Sequence, residues 1–130
     1  MKTKANDNLK SAQMLINNKQ YTTSVHCSYY AAFQYMKYML ANTDRNPISL
    51  QVQNAYDGVS SHEFILKEIK NRLKKTLKEE RNFEDGVRYL KKERVDADYS
   101  NRVFTDIESL DDKEKAEGII SKLKTYFGNI

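Results

Sequence analysis

One proline, four glycines, one cysteine and no tryptophan stand among 130 residues. A domain of many short strands needs many tight turns, which draw on Gly and Pro, so this scarcity speaks against an all-β fold. The lone Cys27 leaves nothing for an intrachain disulfide and suits a reducing, cytoplasmic setting. No stretch approaches the ~18 consecutive apolar residues of a membrane span. The opening MKTKANDNLK lacks the apolar segment of a secretory leader, so neither export nor membrane association is expected. There is no HExxH, no paired CxxC, no EF-hand loop and no Gly-rich phosphate loop. Neither metal ligands nor a cofactor are expected, and no motif supports a Ser-His-Asp triad.

The chain is rich in amphipathic stretches. Its length fits one domain over residues 1–130. The hydrophobic fraction of 39% suffices for a core if it is concentrated on helix faces, and 31% charged residues give a heavily solvated surface. The segment 20–42, QYTTSVHCSYYAAFQYMKYMLAN, has no Gly or Pro, is apolar around most of its circumference and carries a charge only at Lys37. That pattern predicts a buried helix at the centre of a bundle. Five tyrosines along it each need a partner for a hydroxyl, which implies a polar seam or pocket. Cys27 reads as a small core residue, because a catalytic thiol wants a base and His26 points about 100° away on a helix.

Flanking this segment, Ala5, Leu9, Ala12, Leu15 and Ile16 follow helical spacing up to Asn17. Asn46 before Pro47 has the form of a helix start, with Ile48, Val52, Ala55 and Tyr56 as a short stripe that Gly58 closes. Ser60 and Glu63 have capping-box spacing, and Leu66, Ile69, Leu73 and Leu77 follow as one stripe. Asn82 caps the next helix, with Phe83, Val87, Leu90 and Arg94 on one side. Ser109 or Asp111 starts the last, which turns Ala116, Ile119, Ile120, Leu123, Tyr126 and Phe127 inward. The expectation is an all-α, up-and-down antiparallel bundle of about five main helices, near residues 4–18, 20–42, 61–80, 83–97 and 111–128.

Two features bear on function. Eleven Lys or Arg face six Asp or Glu between residues 67 and 94, so the positive charge is concentrated there. On one continuous helix Lys70, Lys74 and Lys78 share a side and form a candidate nucleic-acid surface, although a solvated face is the commoner use of such a stripe. Arg94 extends an apolar stripe, so its side chain should run against the bundle. A buried guanidinium needs partners, with Asp98 first and Asp96 as the fallback. Lys91 and Lys92 serve as the exposed comparators. Tyr29, Tyr30, His62, Arg94, Asp98 and Tyr99 together make a candidate pocket suited to a phosphate or ribose.

The order Ala12 to Leu15, Tyr21, Ser28-Tyr29-Tyr30-Ala31-Ala32-Phe33, His62 and Arg94 with Ala97-Asp98-Tyr99 resembles the HEPN family (higher eukaryotes and prokaryotes nucleotide-binding) over nearly the whole chain. The resemblance implies a helical bundle, a homodimer, and association with a nucleotide, RNA or a minimal nucleotidyltransferase in a two-component, toxin–antitoxin-like pair. One branch of the family is metal-independent endoribonucleases with an arginine, four to six residues, then a histidine. Here Tyr99 stands at that spacing and no histidine follows Arg94, which points to the non-nuclease branch. The alternatives are cleavage using Arg94 without the motif histidine, or a helical bundle serving protein interaction alone.

Overall fold

The computed structural model describes residues 1–56, 59–128 and 130, with the side chains of Val59 and Ser60 outside the description. Six helices run through it: α1 (Lys2–Asn17), α2 (Tyr21–Asn42), α3 (Leu50–Gln53), α4 (Val59–Arg72), α5 (Leu77–Tyr99) and α6 (Asp106–Phe127). α2 is the axis, packing against α1, α4, α5 and α6. Val25, Tyr29, Ala31, Ala32, Phe33, Tyr35, Met36, Met39 and Leu40 are all buried along it, as its all-round apolar pattern requires. Each large side chain buried in this way contributes roughly 1.5–3 kcal/mol. Cys27 is the exception to the expected core, lying only half-buried against α1, and burial raises its thiol pKa. Among the described residues no helix is long and apolar enough to cross a membrane.

The α1–α2 connection is short because Lys19 takes a left-handed φ of 61° and Asn18 Nδ2 donates to the Met14 carbonyl at 2.9 Å. α3 is a single turn and begins later than the Asn46-Pro47 pair suggests. Asn46 instead adopts a φ of 52°, which asparagine tolerates, and Ser49 caps the turn. A polar residue docks this turn: Gln53 is 2% exposed and donates to the Lys37 and Ile48 carbonyls, whereas Val52 and Tyr56 face outward. The expected Gly58 stop and the Ser60 capping box lie outside the described residues.

The expected boundary between the third and fourth long helices is displaced. The helix foreseen over 61–80 ends at Arg72, and α5 begins at Leu77, not near Asn82. Lys74 turns the chain with a φ of 50°, and Thr76 Oγ1 accepts from the Glu79 amide. Thr76 caps α5, with Glu79 and Glu80 in its positive first turn. Leu77, read as the end of a buried stripe, is exposed. α6 likewise starts at Asp106, five residues earlier than foreseen from Asp111, behind a complete Thr105–Glu108 capping box. From Phe83 through Val87 and Leu90 to Arg94, the α5 stripe faces the core as its spacing dictates.

Candidate functional site

Arg94 is carried on the inward stripe of α5 to the place where α2, α4 and α5 meet. Its guanidinium lies over the rings of Tyr29 and Tyr30, 5.4 and 5.5 Å from their centroids. The residue is only 9% exposed, yet no described group accepts a hydrogen bond from it. Nε is buried without a partner, and the nearest acid, Asp98 Oδ2, stands 3.5 Å from Nη1. That separation is long for a hydrogen bond, so the guanidinium has unspent donors.

An open cleft of about 510 Å³ lies against this arginine. Tyr30, His62, Lys91, Val95 and Tyr99 line it together with Arg94 and Ser61. His62, at the start of α4, stacks on Phe33 with centroids 4.3 Å apart, and its Nδ1 shares a 2.6 Å hydrogen bond with the Tyr29 hydroxyl. Burial lowers the His62 pKa to about 4, with the charges of Lys91 and Arg94 adding to the shift. The imidazole is therefore neutral at pH 7, which fits a wall holding two cations. Burial raises the Tyr29 pKa, so that phenol stays protonated. Lys91 Nζ reaches Glu63 Oε1 at 3.6 Å.

The structure brings Tyr30, His62, Arg94 and Tyr99 to one cleft. Tyr29 sits behind them, 2% exposed, and supports Arg94 and His62 instead of facing a ligand. Asp98 lies at the edge, with its carboxylate turned to His26, whose Nδ1 is 2.8 and 3.1 Å from the two oxygens. Tyr99 projects outward at 78% exposure, a ring face available for stacking. The shared side foreseen for Lys70, Lys74 and Lys78 is absent, because the chain breaks at Leu73–Thr76. Lys70 belongs to α4 and pairs with Glu84 at 2.8 Å, Lys74 is in the turn, and Lys78 opens α5.

Sequence reasoning missed two residues. Lys91, chosen as an exposed comparator, lines the cleft; it lies one turn before Val95 on the flank of the Arg94 stripe. The other is His26, which the sequence pattern does not tie to Arg94. Its position four residues before Tyr30 was the available signal, and the two rings do meet, with centroids 4.7 Å apart. Among the described residues no three His, Cys, Asp or Glu side chains are grouped to hold a metal ion. The cleft sets two cationic side chains, a neutral imidazole and an exposed aromatic ring around one opening, groups that can meet an anion, a polar group and a flat one respectively.

A family model described as HEPN domain matches residues 1–126. No curated protein matches the chain.

Proposed function

The chain belongs to the HEPN domain family, and from that premise we propose that it is a binding module whose Arg94 cleft takes the phosphate of a nucleotide or of RNA. The observation that carries this reading is the buried Arg94 guanidinium, which has no hydrogen-bonding acceptor among the described residues. A fold that desolvates a guanidinium forfeits its hydration, and an incoming phosphate supplies the missing acceptors. Lys91 adds a second positive charge, and Tyr99 offers its ring to a base. The reading includes a homodimer and a minimal nucleotidyltransferase as the partner protein, which light scattering and co-purification of the co-expressed pair examine. Binding itself is tested by titrating the protein with AMP and with a labelled single-stranded oligoribonucleotide. Arg94→Ala should weaken at least one of them more than tenfold, on the scale of a lost charge-assisted pair. Unchanged affinity for both would refute the cleft.

One observation favours a second reading, RNA cleavage. His26 and His62 both approach the surroundings of Arg94 although no histidine follows it in sequence. Binding remains the preferred function, because His62 is a weak base with its pKa at about 4 and Tyr99 is a phenol. RNA incubated in chelator should stay intact. Cleavage that Arg94→Ala and His26→Ala both abolish would replace binding with catalysis.

A further inference from the structure

Asp98 has two side chains with nitrogen donors in reach, His26 and Arg94, and the geometry favours one. His26 Nδ1 brackets both carboxylate oxygens at 2.8 and 3.1 Å, while Arg94 approaches only Oδ2, at 3.5 Å. Other acid–arginine pairs one turn apart in this chain close fully: Glu68 with Arg72 at 2.7 Å and Glu84 with Arg88 at 2.9 Å. In those the acid comes first, the favoured order on a helix. The reversed order at Arg94 and Asp98 weakens such a pair without forbidding it. His26 is steadied by the Tyr30 ring of its own helix, and the carboxylate sits closer to the imidazole than to the guanidinium.

We propose that His26 is a positioning residue that holds the Asp98 carboxylate off Arg94, and so keeps the guanidinium open to a nucleotide phosphate. This rests on the reading of the Arg94 cleft as a phosphate site and adds to it a residue that touches no ligand. Without His26, Asp98 closes on Arg94 as an ordinary ion pair and competes with the ligand for the same donors. A carboxylate paired in this way fills the acceptor role that the phosphate would take.

The epistasis between His26 and Asp98 tests the proposal. The probes are AMP and a fluorescein-labelled single-stranded oligoribonucleotide without a terminal phosphate, which separate a terminal phosphate from a backbone one; either source upholds the proposal. His26→Ala, at a half-exposed helical position where alanine is well tolerated, should weaken binding roughly tenfold, the worth of one charge-assisted hydrogen bond. Adding Asp98→Asn should restore affinity to within about twofold of the parent, the usual tolerance of additivity. A second measurement needs no ligand. The Arg94 Nε–H resonance, assigned by its loss in Arg94→Ala, should shift in His26→Ala and return in the double variant. Wild-type affinity in His26→Ala, or a loss that Asp98→Asn does not relieve, overturns the role of His26 and leaves the cleft standing. No binding of either probe by the wild type overturns the cleft reading; the arginine resonance then decides His26 alone, and an unmoved signal refutes it.

Discussion

Arg72 and Arg94 are buried to the same degree, 9% exposed each, and their surroundings are opposite. Arg72 at the end of α4 donates to the carbonyls of Arg45, Asn46 and Glu68 and to the Glu68 carboxylate, five hydrogen bonds in all. It ties the connection before α3 to the end of α4. The Arg94 guanidinium makes no hydrogen bond with any described residue, and is met by aromatic faces and a carboxylate held by another side chain. Residue type and burial do not separate these arginines; the use of their donors does. A buried guanidinium with every donor engaged is part of the scaffold, and one with donors to spare has been desolvated for something that arrives later.

The largest expected effect falls on the scaffold side. Arg72→Met strands a carboxylate and several carbonyls and should cost about 3 kcal/mol, near the lower figure for a broken buried pair because Glu68 keeps some solvent. Equilibrium urea unfolding measures it. Arg94→Met should cost less than about 1 kcal/mol, because no hydrogen bond is lost. Equal losses for the two would erase the distinction.

The next effect concerns two groups that titrate, half-buried His62 and fully buried Asp112. The His62 pKa is lowered to about 4 from an ordinary 6.5, so between those values the folded chain binds fewer protons than the unfolded one and stability falls as pH falls. Asp112 is fully buried beside Glu93, and burial, then the charge of Glu93 and a hydrogen bond shared with it, raises its pKa to about 7 from 3.8. There the folded chain binds more protons, and stability rises as pH falls from about 7 toward 4. The two trends oppose each other in the parent and are separated by mutation. Asp112→Asn should melt at lower temperature as the solution is acidified from pH 7 to 5, and His62→Gln at higher temperature. Parallel curves for both variants would show that neither burial governs the titration.

Smaller still, Thr76→Ala removes the cap of the helix that carries Arg94 and should cost ~1 kcal/mol in thermal unfolding. Affinity for AMP should not change, since the cleft lies several turns away. Smallest is the basic turn. Lys74→Ser with Lys78→Ser should lower the salt dependence of oligoribonucleotide binding by about one to two phosphate contacts and leave AMP untouched. An unchanged salt slope would reduce those lysines to a solvated surface.

The helices were legible wherever apolar spacing was long and unbroken. α2 and the Phe83–Arg94 stripe of α5 lie where periodicity puts them, because burial on that stripe permits no other register. Boundaries failed where two signals competed. Leu66, Ile69, Leu73 and Leu77 read as one stripe, but Thr76 with Glu79 and Thr105 with Glu108 are cap spacings whose local hydrogen bonds outweigh one more apolar residue. That one error joined Lys70, Lys74 and Lys78 on a face they do not share. The inward course of Arg94 followed from helical arithmetic, as did a carboxylate one turn on at Asp98, but that carboxylate hydrogen-bonds His26 and not the arginine. His26 did not follow, since its contact with Asp98 spans 72 residues and depends on how α2 and α5 cross, which no local pattern encodes.

Arg72→Met and Arg94→Met, each measured for both unfolding free energy and affinity for AMP and the oligoribonucleotide, test the central claim most directly. The account predicts a crossed result: Arg72→Met is much less stable but binds normally while folded, and Arg94→Met is nearly as stable as the parent but has lost binding. Stability lost and binding kept in Arg94→Met would contradict it, and would make Arg94 a second scaffold arginine.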